Sequence, residues 1–197
     1  MIIRLAEIAD IQFGPHLKYS EKGAVKEPVL YLHAGHFDSY FKPSKHEHSY
    51  VEKSDSVKKY LLVPGDVILA GKGHRLFAWV YEPSIGDAIP SSLFYKMKLD
   101  EEQVRPDFLA YYLNSARVQH KLKLIGAGAT ITSVPKKELL NFKIELPSIK
   151  EQDKIIELAD ALSSDVRLTA ELLECKKELK QGMINKLIHR RLEENTT

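Results

Sequence analysis

Leu146-Pro147-Ser148-Ile149-Lys150-Glu151-Gln152-Asp153-Lys154-Ile155 separates two regimes of the chain. Ser148 can cap a helix, and Glu151, three residues on, completes a capping box. From there to about Leu192 no proline occurs, and Gly182 is the one glycine. Leu158, Ala161, Leu168, Leu172, Cys175 and Leu179 follow a three-four alternation, with Leu162, Val166, Met183 and Leu187 widening the stripe. Asp165 interrupts it, so this is not a strict zipper. A helix of ~40 residues would be ~60 Å long, too long to bury its stripe on its own small domain. A partner helix, antiparallel or bundled, is the expected solution. The alternative is a hairpin broken at Gly182, since interior glycine costs ~1 kcal/mol without forbidding continuation. The tail, residues 193–197, is expected to fray.

Before Pro147, short apolar runs alternate with Gly, Pro, Asn and Ser punctuation. Strands are expected at 29–32, 60–63, 67–70, 76–81, 93–99 and 142–146, each bounded by turn residues. Val63-Pro64-Gly65-Asp66 reads as a tight turn, because proline presets its φ and glycine accepts positive φ. Phe108, Leu109, Tyr112, Leu113 and Ala116 recur at helical spacing, which predicts a helix over 106–122 with Pro106 in its first turn. A shorter helix is expected at 136–141. The class is therefore α+β: a mixed α/β domain over 1–147, then a long C-terminal coiled-coil helix over 148–192. Residues 33–56 stand apart, rich in His, Lys, Tyr and Ser and long for a structureless connection. Phe37, Tyr40, Phe41 and Tyr50 argue against simple disorder there.

The bulk numbers bound the function. A chain of 197 residues with 44% hydrophobic and 28% charged content is large enough for one domain and an appendage. No apolar run approaches the ~20 residues of a membrane span, and charge comes too early in MIIRLAEIAD for a signal peptide. A cytoplasmic location is the expectation. Cys175 is the single cysteine, which excludes an intrachain disulfide; in an apolar-periodic helix its expected role is packing. The net charge is +2, with +3 over residues 1–147 and −1 over 148–197. A DNA-binding face is allowed by this balance but not demanded, since phosphate binding depends on where charges lie.

No GxSxG, HExxH, P-loop or GxGxxG pattern occurs. Gly71-Lys72-Gly73-His74-Arg75 lacks the spacing of a phosphate cradle. Lys72, His74 and Arg75 instead form a basic cluster after a strand, suited to DNA phosphates or base edges; a solvated turn is the bland alternative. His33, His36, His46 and His48 could in principle supply four zinc ligands, but no cysteine accompanies them, and hydrogen bonding to bases or phosphates suits them better. Aromatic and basic residues alternate through 37–59, including Tyr40, Phe41, Lys42, Lys45, Tyr50, Lys53, Lys58 and Lys59. That mixture suits a nucleic-acid surface, although Glu47, Glu52 and Asp55 dilute it toward an ordinary solvated face.

Four motifs in order shift this balance. Leu61-Leu62-Val63-Pro64-Gly65-Asp66-Val67-Ile68-Leu69-Ala70 resembles the "L-x-x-GD-hydrophobic-L" segment of the specificity subunits of type I restriction-modification systems. Gly128-Ala129-Thr130-Ile131, continuing through Pro135 and Leu139-Leu140 to Ile144-Glu145-Leu146-Pro147, is similar to their "G-s-T-i … L … i-x-l-P" segment. Leu146 to Ile155 resembles their "LP-x-x-x-EQ-x-x-I" helix entry, and residues 179–187 resemble the "L-x-x-g-L-M-x-x-L" close of that helix. The resemblance implies a target-recognition domain reading half of a bipartite double-stranded DNA site, without catalysis of its own. It implies that the helix spaces two readers and docks methyltransferase subunits, with a restriction subunit where cleavage accompanies methylation. No cofactor is expected on this chain; S-adenosylmethionine is expected on the partner methyltransferase. Such chains usually carry two units and this sequence carries one, so it either forms a homodimer or is a partial gene product. The helix residues expected at the dimer seam are Leu158, Leu162, Leu168, Leu172, Cys175, Leu179 and Met183. On chemistry, the DNA-contact candidates are His36, Lys42, Lys45, His46, His48, Lys72, His74 and Arg75, with Lys136 and Lys137 as lesser ones; Arg75 suits guanine and the lysines suit phosphates. The competing readings are a coiled-coil adaptor whose head binds protein, and the specificity module of another phage-defence modification enzyme.

Overall fold

Three small sheets carry the first part of the chain. A computed structural model describes residues 1–21, 24–44, 49–126 and 132–194, with side chains as far as 188. The strands are β1 (Ile2–Arg4), β2 (Ala9–Phe13), β3 (Pro28–Leu32), β4 (Ser49–Glu52), β5 (Val67–Ala70), β6 (Ala78–Val80), β7 (Ala88–Pro90), β8 (Phe94–Leu99) and β9 (Lys143–Glu145). The helices are α1 (Asp55–Lys58), α2 (Pro106–Asn114), α3 (Ala116–Ile125), α4 (Lys136–Leu140) and α5 (Ile149–Glu194). The class is α+β, with the long C-terminal helix in place.

Strand order β2-β8-β5-β6 forms a four-stranded antiparallel sheet, β4-β3-β7 a mixed three-stranded one, and β1-β9 a two-stranded one. Val67, Ile68, Leu69 and Ala70 of β5 are all buried, as a strand with neighbours on both edges and cover on both faces requires. Between the two larger sheets, Leu30, Leu32, Phe37, Leu62, Ile68, Phe77, Trp79 and Phe94 make one core cluster. Its aromatic rings meet tilted or edge-on: Phe37 lies 4.9 Å from Phe77 and 5.4 Å from Trp79, an arrangement that adds about 0.5–1.5 kcal/mol per pair beyond the area buried.

The turn over 63–66 forms as expected. Gly65 takes φ 89° and Asp66 N–H donates to Val63 O at 3.0 Å. Asp66, 1% exposed, accepts the Val63 N–H at 2.8 Å and pairs with Lys96 of β8 at 2.9 Å. Lys96 also donates to Leu61 O at 2.5 Å. These side chains explain why 60–63 is not the strand its residues suggested. Tyr60 and Leu61 N–H bond back to Val57 O and Lys58 O, and Leu61 O and Val63 N–H bond to Lys96 and Asp66. Among the described residues, Leu62 N–H to Ala88 O at 2.9 Å is therefore the one backbone link to a neighbouring strand.

Other expectations shift in detail. The helix expected over 106–122 is two helices, broken at Ser115, whose ψ of 143° is extended. The Asn114 amide both accepts from Ala78 N–H and donates to Ala78 O, each at 2.8 Å, so it closes the free edge of β6 like a neighbouring strand. Residues 33–56 are not a structureless loop: they hold a 3-10 turn (Ala34–His36), β4 and the start of α1. Strands β1, β2, β4 and β7 were not anticipated, being three to five residues long; β2 alone of them alternates clearly, in Ala9-Asp10-Ile11-Gln12-Phe13.

The structure divides into two compact units, residues 1–154 and 155–197. Within the first, the start of α5 is sewn down. Ser148 and Glu151 form the capping box, with Ser148 N–H to Glu151 Oε2 at 2.9 Å and Glu151 N–H to Ser148 Oγ at 3.4 Å; the bonds from Ser148 hold the Glu151 carboxyl below its usual range. Gln152 is fully buried and fully partnered: it accepts from Arg105 N–H at 2.8 Å and donates to Gln103 O at 2.9 Å and Pro147 O at 3.0 Å. In the second unit α5 runs on through Gly182 without a break, so no hairpin forms there. Its large apolar side chains are exposed, and so is Cys175.

The Asp66–Lys96 pair yields a stability test. Asp66→Ala should cost about 3–5 kcal/mol, because it strands a largely buried ammonium, whereas the double variant Asp66→Leu/Lys96→Met should lose distinctly less. Denaturant unfolding of the single and double variants checks this, and equal losses would contradict a desolvated pair.

Candidate nucleic-acid interface

The basic segment 71–75 leaves the end of β5 and is built on two glycines. A Cβ on Gly71 would lie 2.3 Å from the Tyr95 ring, and Gly73 takes φ 119° in open space. Gly71 N–H donates to Leu93 O at 2.9 Å, Val134 N–H to Gly71 O at 2.9 Å and Gly73 N–H to Thr132 O at 3.0 Å. Lys72 and Ser133 thus pair as an isolated antiparallel bridge. Tyr95 OH donates to Val134 O at 2.6 Å beneath them, and burial pushes its phenol upward. The backbone is therefore held from three sides while Lys72 and His74 project from it.

Lys72 is half-buried, its ammonium 5.4 Å from the ring of Phe13; His74 is exposed. Neither side chain has an ion pair among the described residues. Arg75 is differently occupied. Its guanidinium donates to Phe37 O at 3.3 Å and to Asp38 O at 2.5 Å, and it lies 5.5 Å from the rings of both Phe41 and Phe77. Those two rings stack at 5.1 Å with planes 5° apart. Phe41 takes φ 59°, a left-handed conformation rare for a bulky residue. Asp38 supports it by accepting from Tyr40 N–H at 2.8 Å and Lys42 N–H at 2.9 Å. Arg75 thus clamps the 37–42 loop onto the core.

The other candidates are dispersed. His36 Nδ1 accepts the His33 N–H at 3.3 Å and its ring meets His33 edge-on at 5.2 Å. His33 itself sits in an aromatic row with Tyr31 and Tyr19, at 4.7 and 4.8 Å. Its Nε2 is buried without a hydrogen bond among the described residues, and desolvation pushes its pKa down. Lys42 pairs with Glu82. Lys136 lines a shallow cavity of about 540 Å³ with Glu7, Asp10, Lys98 and Asp100, and Lys137 is exposed on α4. Lys45, His46 and His48 lie outside the described residues, as does 128–131. Sequence reasoning passed over Phe13 and Ser133, which flank Lys72; they lie 59 and 61 positions away in the chain and carry no local signal.

The model of the family described as "Type I restriction modification DNA specificity domain" matches residues 1–178. The chain belongs to this family. The type I restriction enzyme MjaVIII specificity subunit of Methanocaldococcus jannaschii is 25% identical over 203 residues, covering 95% of this chain and 45% of that protein. Two solved structures share the fold. A chain from a structure of type I R-M complex assembly and conformational transition has a TM-score of 0.67 at 20% identity, covering 92% of this chain and 43% of that one. The HsdS subunit from Thermoanaerobacter tengcongensis has a TM-score of 0.61 at 20% identity, covering 87% and 44%. This chain therefore spans less than half the length of each. Two of the pairs that resemble the type I family's motifs have structural places here: the Gly-Asp pair is the Gly65-Asp66 turn, and the Glu-Gln pair is the cap and anchor of α5.

Arg75 and Lys72 should separate in their effects. Arg75→Ala should lower stability by about 1–2 kcal/mol and speed amide exchange at 38–42, whereas Lys72→Ala should change stability by less than about 0.5 kcal/mol. Exchange mass spectrometry with thermal unfolding reads both, and unchanged exchange in the Arg75 variant would remove its clamp role.

Proposed function

We propose that this chain is the DNA-recognition subunit of a type I restriction-modification complex and works as a half-subunit. Residues 1–147 form the target-recognition domain, 148–192 the helix for dimerisation and methyltransferase docking, and 193–197 a tail. The match of the family model over 1–178 carries the reading. The held basic segment gives it a contact surface, with Lys72 and His74 presented to DNA; His36, Lys42, Lys45, His46, His48, Lys136 and Lys137 are candidates of lesser standing. Arg75 contributes by shaping the adjacent loop. Methylation of adenine belongs to the partner subunits, which hold S-adenosylmethionine, and cleavage, where it occurs, to a restriction subunit. No helix among the described residues is long and apolar enough to cross a membrane, in keeping with work on cytoplasmic DNA.

The exposed face of α5 supports the pairing. At about 100° per residue, Leu158, Leu168, Leu172, Cys175, Leu179 and Met183 fall on one stripe. Ile155, Leu162, Val166, Leu173, Ile184 and Leu187 fall on another, roughly 110° away. Asp165, Lys176 and Lys186 interrupt the first and Lys180 the second. A two-stranded coiled coil covers one stripe, so this helix has room for two neighbours. A second copy takes the first stripe, antiparallel about a twofold axis, and a methyltransferase helix takes the second. Twofold pairing presents two identical readers, so the site read is symmetric and interrupted.

Sedimentation velocity tests the pairing: the wild-type chain should be a dimer, and Leu172→Asp with Leu179→Asp should weaken it by more than about a hundredfold. A monomeric wild type, or a variant that dimerises equally well, would contradict the arrangement.

A further inference from the structure

Helix α3 holds Arg117, His120, Lys121 and Lys123 in ten residues and no carboxylate. Val118 and Leu122 are buried, which fixes the opposite side as the outward one. At about 100° per residue, Arg117, His120, Lys123 and Leu124 fall on that side and are exposed, while Lys121 stands half-buried on its flank. Leu124 is 62% exposed. Lys121 and Lys123 have no ion pair among the described residues. Arg117 meets Glu145 at 3.4 Å with both side chains more than half exposed, a contact worth little and readily exchanged. The helix dipole accounts for Lys123 in the last turn but disfavours Arg117 in the first. The helix ends beside the basic segment: a Cβ on Gly126 would lie 2.7 Å from Thr132 Cγ2 and 3.2 Å from Ser133, and Ser133 is the bridge partner of Lys72.

We infer that the outward face of α3 is a second DNA-backbone surface adjoining the 71–75 segment, with Arg117 and Lys123 on phosphates. His120 lies between them on the same face, and Leu124 is placed for sugar or thymine-methyl contact. The inference rests on the DNA-recognition reading above. Each phosphate neutralised by a cation releases counterions, so the number of such contacts is read from the salt dependence of binding.

The test uses the full chain assembled with its methyltransferase subunits and a fluorescent DNA duplex of arbitrary sequence, several helical turns long. Per copy of the chain, Arg117→Gln/Lys123→Gln should reduce the slope of log affinity against log salt by about two and weaken binding by roughly tenfold or more. Arg117→Lys/Lys123→Arg should restore both. Circular dichroism should be unchanged in all variants, since Val118 and Leu122 are kept. If the Gln variant binds with wild-type slope while Lys72→Gln lowers it, α3 is not a contact surface and the 71–75 segment stands alone. If the wild-type complex shows no salt-dependent binding, the DNA-recognition reading falls together with this one.

Discussion

The largely buried pair between Asp66 and Lys96 fixes where the basic segment 71–75 emerges. Asp66 closes the turn that starts β5, and Lys96 stands opposite Ile68 on β8. Together they set the register in which Leu69 faces Tyr95 and Ala70 faces Phe94. A slip of one residue would turn the face of every β5 side chain. It would also move Gly71 away from the Tyr95 ring, against which only a glycine fits. Lys72, His74 and Arg75 then follow from a point set by the sheet rather than by a flexible loop.

A second constraint governs the passage from the recognition unit into the helix. The N-terminal turn of α5 has backbone donors to satisfy, and Ser148 and Glu151 supply that cap. Gln152 then occupies a buried polar site, with its three hydrogen bonds all directed at backbone. Arg105 reinforces the junction through Asp153 at 2.9 Å. Two pairs that resemble the family's motifs, Gly65-Asp66 and Glu151-Gln152, therefore hold the construction points of the fold.

Legibility in the sequence followed locality. Strand β5, the 63–66 turn and the capping box were read correctly, because all their determinants lie within a few residues. The extended run at 60–63 was misread because its partners, Lys96 and Ala88, are distant and one is a side chain. The break at Ser115 was missed although Asn114-Ser115 is typical capping material; the tie to Ala78, 36 positions away, decides it. At the candidate site the basic character of 72–75 was visible. The diversion of Arg75 to the Phe37 and Asp38 carbonyls was not, since only the fold brings them together. The acid-free run in α3 was present in the sequence, but its outward face emerges only once Val118 and Leu122 are seen buried.

One recognition unit joined to one helix with two exposed apolar stripes gives a specific expectation about the DNA that is read. Two identical readers related by a twofold axis recognise inverted repeats separated by a spacer. The most direct measurement is single-molecule sequencing of DNA methylated by this chain together with its methyltransferase subunits. The account predicts methylated adenines at a palindromic, interrupted sequence with identical half-sites on the two strands. Methylation at an asymmetric site with two unlike halves would contradict it.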